Sequence, residues 1–274
     1  MKKLLSCILL LALILSAFSA YAEEAGGKGE WVFAGNDTAS ETVLAELEDV
    51  SPYIPEGMDK AIFGADNRIT VNNPSTYPYS AIAYIKMKYK CGCNGTGTGF
   101  VAGTSSTVFT AAHCVVCTDH GEWADELTFY FGYKNDRNYL YKYNSKWYAY
   151  AGNTYPNKSY SIDGDYAVIK LYSDVGEKTG WFGVRWNPSD SMVTSAYAYV
   201  AGYRDGILRY DQGFLSTGGQ NHIRYTLDTL PGTSGGPVFT GDYYAIGINI
   251  ASNSSYNTAY RTTSDVMYAY DYVK

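Results

Sequence analysis

Three stretches of the chain carry residue types that combine in nucleophilic acyl transfer. Near the C-terminal end, Gly232-Thr233-Ser234-Gly235-Gly236-Pro237 sets a hydroxyl between glycines that leave an approaching carbonyl unobstructed. The bare pattern Gly-x-Ser-x-Gly also fits a sharp strand-to-helix elbow, but Gly235-Gly236-Pro237 is a poor helix start and no histidine follows Ser234. A serine hydroxyl is a weak nucleophile until a neighbouring base takes its proton. That base must lie upstream, among only three histidines, His113, His120 and His222. Thr110-Ala111-Ala112-His113-Cys114 delivers the first of them through small residues at the end of an apolar run. His120 lies in a polar loop and reads as a surface residue, and His222, just before a strand, reads as a satisfied structural one. A third group should hold the imidazole in one tautomer. Ser161-Ile162-Asp163-Gly164-Asp165 supplies two carboxylates before the apolar run Tyr166–Leu171; Asp165 begins that run and Asp163 belongs to the turn.

These groups must be positioned by strands. The chain of 274 residues is 46% hydrophobic and 18% charged, which suits one or two globular domains and excludes disorder or a collagen-like chain. With 29 tyrosines and 28 glycines, composition favours strands joined by tight turns. Alternation is plain in Ala81–Tyr89, and further short runs at 98–102, 107–112, 127–132, 139–150, 165–172, 194–203, 207–215, 222–227, 237–240 and 243–251 are separated by Gly, Asn, Asp and Ser. Regular short strands without a long helical crossover predict an all-β sandwich or barrels. Only Thr263-Ser264-Asp265 opens a helical pattern, with Val266, Met267, Tyr270 and Val273 on one face.

The first 60 residues have a different character. Lys2-Lys3, the apolar run Leu4–Phe18 and Ala20-Tyr21-Ala22 read as a secretory signal over 1–22, too short and wrongly flanked for a membrane anchor. Residues 23–60 are strongly acidic, with Lys28 and Lys60 as their cations, and form a candidate pro-segment; Thr38-x-x-Glu41 is a capping box for a short helix ended by Pro52 and Pro55. The net charge of −6 therefore belongs to this precursor part, and residues 61–274 are balanced. A neutral domain without a basic stripe is not expected to bind nucleic acid.

Four cysteines, Cys91, Cys93, Cys114 and Cys117, follow the signal within a short span. In an exported chain two disulfides are the expected use, linking Cys91 and Cys93 to Cys114 and Cys117, although three connectivities are open. The competing reading is one zinc ion held between the Cys-x-Cys and Cys-x-x-Cys pairs. With disulfides preferred, no metal and no cofactor is expected; calcium has no loop signature.

The order His113, Asp165, Ser234, with Thr-Ala-Ala-His-Cys, Asp-Tyr-Ala-Val-Ile-Lys-Leu and Gly-Thr-Ser-Gly-Gly-Pro around them, resembles the three signature regions of the trypsin-like serine proteases. Ala61–Arg68, Tyr77-Pro78-Tyr79-Ser80 and Val200-Ala201-Gly202-Tyr203 are similar to the bacterial glutamyl endopeptidase, or V8-like, branch. The likeness covers residues 61–274 and implies two six-stranded antiparallel β-barrels with a short C-terminal helix. It implies further that His113 and Asp165 come from the first barrel and Ser234 from the second. It also implies an oxyanion hole from the N–H groups of Gly232 and Ser234, a mature start at Ala61 with Ile69 as the alternative, protein or peptide substrates, no membrane contact after signal removal, and a monomer. Two positions depart from the pattern. Thr233 replaces the aspartate that captures the new N-terminus in many animal relatives, and Asn249 stands where the glutamyl branch carries a histidine. For the primary pocket, Asp228 with Thr229 beside it is spaced like the floor of basic-specific enzymes, against the alternative of an outward-facing aspartate. A catalytically silent binding module on the same scaffold is the second functional expectation.

Overall fold

A computed structural model describes residues 32–34 and 65–274. The signal, the Thr38 helix and the Ala61 start lie outside the described residues. The chain forms β1 (Val32–Ala34) and β2 (Ile69–Thr70), then β3 (Ile82–Tyr89), β4 (Asn94–Val101), β5 (Thr107–Thr110), β6 (Ala124–Phe131), β7 (Tyr141–Tyr143), β8 (Trp147–Ala151) and β9 (Ala167–Leu171). It continues with β10 (Gly183–Val184), β11 (Tyr197–Arg204), β12 (Ile207–Phe214), β13 (Ser216–Thr217), β14 (His222–Tyr225), β15 (Pro237–Thr240), β16 (Tyr244–Ser252) and β17 (Asn257–Arg261). Two curled sheets result, ordered β1-β8-β9-β5-β4-β3-β6-β7 and β13-β14-β17-β16-β15-β11-β12-β2, with β10 parallel to β16 at the side.

The fold is chymotrypsin-like and mostly strands, as the sequence predicts. Each sheet contains six strands of four residues or more, and the two- and three-residue strands extend their edges. One expected strand, 139–150, is divided: Asn144-Ser145-Lys146 interrupts it, and the Tyr143 hydroxyl closes the gap by donating to the Lys146 carbonyl. Besides the terminal helix, the described residues form two short ones, α1 (Gly176–Thr179) and α2 (Asp190–Ser195), the latter capped by Ser189 Oγ accepting from the Met192 N–H at 3.2 Å. Helix α3 (Ser264–Val273) buries Val266, Ala269 and Val273 and stacks Tyr270 beside Phe109 and Trp186, so Ala269 rather than Met267 completes its inner face.

Alternation on these strands puts their apolar side chains inside. Phe100, Phe109, Phe129, Phe131 and Ile169 are fully buried in the first half, while Val200, Leu215, Ile223, Val238 and Ile246 fill a second cluster. Fully burying one such side chain stabilises the fold by roughly 1.5–3 kcal/mol. The first core does not stop at its own sheet: Ala201, Tyr203, Leu208 and Phe239 of the second sheet belong to it. Continuous packing holds the halves in register, and the sequence-predicted catalytic side chains lie on either side of that junction.

Candidate active site

The first half supplies a histidine and a carboxylate. His113 sits in a short 3₁₀ turn, Ala112–Cys114, just beyond β5, with Ala111 and Ala112 fully buried beneath it. Asp165 precedes β9, which pairs with β5 through Thr110 opposite Ala167, so neighbouring strand ends bring the two residues together. Asp165 Oδ2 lies 2.8 Å from His113 Nδ1, and Oδ1 accepts the His113 backbone N–H at 3.1 Å. Gripping both ring and backbone fixes the position and tilt of the imidazole.

Asp165 is fully buried, and a buried carboxylate is costly unless its lone pairs are satisfied. Two tyrosines complete the set: the Tyr155 hydroxyl donates to Oδ1 at 2.8 Å and that of Tyr160 to Oδ2 at 2.9 Å. Burial, followed by the Asp165 charge, raises both phenols well above their ordinary range, so they stay protonated donors. Burial of the imidazole, the largest single influence, works to lower the His113 pKa, but the facing Asp165 carboxylate and the neighbouring Cys114 together outweigh it, and the net shift is well above the ordinary 6.5.

The second half supplies a backbone device. Between Leu230 and Pro237 the chain makes a tight turn: Thr233 N–H donates to Leu230 O at 2.9 Å, Gly236 N–H to Thr233 O at 3.0 Å and Gly235 N–H to Asn249 O at 2.7 Å. Gly232 and Gly235 have φ of 96° and 84°, the left-handed region that favours glycine. At Gly235 a Cβ would stand 2.0 Å from Thr98 O, so no larger residue fits there. The loop is tied to the first half by Thr98 of β4, whose N–H donates to Ser234 O at 2.8 Å and whose hydroxyl donates to Gly232 O at 2.9 Å. Among the described residues, neither the Gly232 N–H nor the Ser234 N–H has a hydrogen-bond acceptor. Two unengaged amides on one left-handed turn suit an oxygen that gains charge.

Of the remaining sequence-predicted residues, Asn249 and Thr233 hold this loop. Asn249 is buried, accepts from the Tyr225 hydroxyl at 2.7 Å and donates to Thr233 O and Oγ1 at 3.1 and 3.2 Å. Thr233 donates its hydroxyl to Leu230 O at 2.6 Å, so a network of neutral groups surrounds this neighbour of Ser234. Asp228 is buried, contrary to the outward-facing alternative; its Oδ2 accepts the Asn67 N–H at 2.8 Å and its own N–H donates to Asp211 at 2.7 Å. Thr229 is buried next to it. His222 is buried, with Nε2 3.3 Å from Ile162 O and its ring edge-on to Tyr260, a structural histidine as expected. It also lines a cavity of about 180 Å³ with Tyr160, Arg224, Ala251 and Tyr256.

The expected disulfides are not formed. All four cysteines are thiols, and Cys114 stands apart from the others, buried with Sγ 3.7 Å from Ser234 O. It packs so closely on Gly97 that a Cβ there would meet the sulfur at 2.7 Å.

Sequence reasoning missed Tyr155 and Tyr160. Neither stands out among 29 tyrosines, and the single local signal is Asn153, whose Oδ1 accepts the Tyr155 N–H at 2.8 Å and bends the loop back over Asp165.

A family model described as the trypsin-like peptidase domain matches residues 97–248. An extracellular metalloprotease of Bacillus subtilis (strain 168) is 30% identical over 252 residues, spanning 85% of this chain and 76% of the relative. A glutamyl endopeptidase of Bacillus licheniformis is 29% identical over 251 residues, with 85% and 75% covered. Among solved structures, a Glu endopeptidase in complex with MPD superposes with a TM-score of 0.66 at 22% identity, covering 77% of this chain and 98% of its own. The protease Anisep from Arthrobacter nicotinovorans gives 0.57 at 22%, with 73% and 97% covered.

Proposed function

Because the chain belongs to the trypsin-like peptidase family and is a serine endopeptidase, we propose that Ser234 is its nucleophile, His113 its general base and acid, and Asp165 the carboxylate that orients the imidazole. The observation that carries this reading is the double grip of the fully buried Asp165 on His113, at Nδ1 and at the backbone N–H. Nδ1 is then the protonated nitrogen, which leaves Nε2 to accept the Ser234 proton as Oγ attacks a peptide carbonyl. The imidazolium formed is stabilised by Asp165 and passes its proton to the leaving amine; water repeats the sequence in reverse to release the acyl group. The unengaged N–H groups of Gly232 and Ser234 receive the tetrahedral oxyanion, a contribution of roughly 3 kcal/mol per donor.

Substrates are peptides or proteins. Asp228 already accepts a backbone N–H from Asn67, which supports an anchoring role for it rather than a pocket floor, and Asn249 is committed to the nucleophile loop. Digestion of a peptide library by the enzyme and by Asp228→Asn tests this: loss of a Lys/Arg preference in the variant restores the pocket reading. The proposed precursor consists of a signal over 1–22, an acidic pro-segment over 23–60 and a protease domain over 61–274. Two observations support it: an extracellular relative, and the pairing of β1 from the acidic segment with β8 of the first sheet.

Turnover of a processed sample beside Ser234→Ala tests the mechanism. A fall of about 10⁴–10⁶-fold is expected; equal turnover removes the Ser234 assignment, whereas failure of Ser234 to react with an organophosphonate restores the silent-module reading.

A further inference from the structure

Away from the proposed nucleophile, the sulfur atoms of Cys91, Cys93 and Cys117 and a ring nitrogen of His120 all lie within 4.8 Å of one another. We propose that these four residues form a structural zinc site of the Cys₃His type that clamps the loop following His113.

The geometry matches the ion. With Zn–S of about 2.3 Å and Zn–N of about 2.0–2.1 Å, a tetrahedral site has N···S edges of ~3.5 Å and S···S edges of ~3.8 Å. His120 Nδ1 lies 3.4 Å from Cys117 Sγ and 3.6 Å from Cys93 Sγ. The nitrogen therefore already stands at tetrahedral edge lengths from two sulfurs. Small side-chain rotations complete the set, and Nε2–H is left towards solvent. The ligand types select the metal: three thiolates and an imidazole in a closed tetrahedral set suit zinc, whereas calcium and magnesium require oxygen. Binding converts three thiols to thiolates and releases three protons to water.

The backbone is built around this cluster. Cys91 and Cys93 flank Gly92 at the tip of the β3–β4 hairpin, where Tyr89 N–H donates to Cys93 O at 2.9 Å. Cys117 and His120 are brought together by a one-turn loop in which Gly121 N–H donates to Cys117 O at 2.8 Å. Lys90 N–H donates to Trp123 O at 3.2 Å and fastens one loop to the other. A disulfide accounts for the same residues less well. Three sulfurs converge rather than two, the fourth cysteine stands apart against Ser234 O, and His120 would have no part in the bond. The ion ties residues 91 and 93 to 117 and 120, which lie close after His113 in sequence. Tyr89, on the hairpin strand, adds a hydrogen bond from its hydroxyl to the His113 carbonyl at 2.9 Å. The clamp thus holds the loop that follows His113, and it supplies no step of the reaction.

The test is metal analysis of the full secreted chain by mass spectrometry, with replacement of the bound ion by cobalt(II). One zinc per chain and the visible ligand-field bands of tetrahedral thiolate cobalt are expected. His120→Ala, a change at an exposed residue, should bind zinc at least ~10-fold more weakly. Ser234→Ala should keep its zinc while losing turnover, so the fate of the metal site is read independently of the catalytic assignment. The proposal is overturned by a chain that stays free of zinc after reconstitution, by a disulfide mapped between any two of Cys91, Cys93 and Cys117, or by unchanged zinc affinity in His120→Ala.

Discussion

The two halves of the candidate site solve different problems by different means. On the first-half side, side chains do the positioning: a buried charge, two phenols and a histidine are bound to one another at 2.8–3.1 Å. On the second-half side the backbone does it, through left-handed glycines and two amides that have no hydrogen-bond acceptor among the described residues. The difference teaches where each half is vulnerable. Charge and pH act on the first, whereas an added carbon atom acts on the second.

Asp165→Asn gives the sharpest break on the charged side. It keeps the shape but offers His113 the wrong hydrogen-bonding group, and kcat should fall about 10⁴-fold with the fold intact; a fall below tenfold dissolves the contrast. On the backbone side Gly235→Ala places a Cβ 2.0 Å from Thr98 O and 2.2 Å from Thr110 Oγ1 at a φ of 84°. It should cost at least ~4 kcal/mol by chemical denaturation, since strain and a backbone clash combine. Near-native stability there would show that the loop yields.

The tyrosines sharpen the comparison through pH. The raised pKa of His113 places the acid limb of kcat/KM above the ordinary imidazole value of 6.5. Tyr155→Phe removes one donor from Asp165, leaves more charge facing the ring and should move the limb to higher pH, with a loss of about 1–3 kcal/mol in stability. Asp165→Asn should move it down. The same shift sets a stability window: because the folded-state pKa exceeds the unfolded one, His113 stabilises the fold fully below pH ~6.5. That contribution is lost as pH rises through the folded-state value. The smallest effect is expected from Asn249→Ala, which frees the Thr233 carbonyl and hydroxyl and should lower kcat by roughly tenfold through a loosened turn.

Much of this design was legible in the sequence because it is local. Ser234 among its glycines and Asp165 at the head of an apolar run stand out as candidates by their immediate neighbours, and strands joined by tight turns follow from alternation and turn residues, whereas the two six-stranded barrels were implied by the family resemblance. What stayed hidden depends on contacts between distant segments. Tyr155 and Tyr160 acquire meaning only when their loop folds over Asp165. Asp228 has the spacing of a pocket residue, yet its partner is the amide of Asn67, 161 positions away in sequence. The cysteines show the same limit. Their spacing grouped Cys114 with the other three, whereas the turn at Ala112–Cys114 directs that sulfur towards Ser234 and the next loop substitutes His120, taken from sequence as a surface residue.

The claim that the two halves meet in one catalytic device is tested most directly by reacting the processed enzyme with a peptidyl phosphonate and locating the adduct by mass spectrometry. A single adduct on Ser234 is predicted, formed rapidly in the native enzyme, slowly in His113→Ala and not at all in Ser234→Ala. An actively cleaving enzyme that remains unlabelled at Ser234, or that is labelled equally fast without His113, would contradict the account.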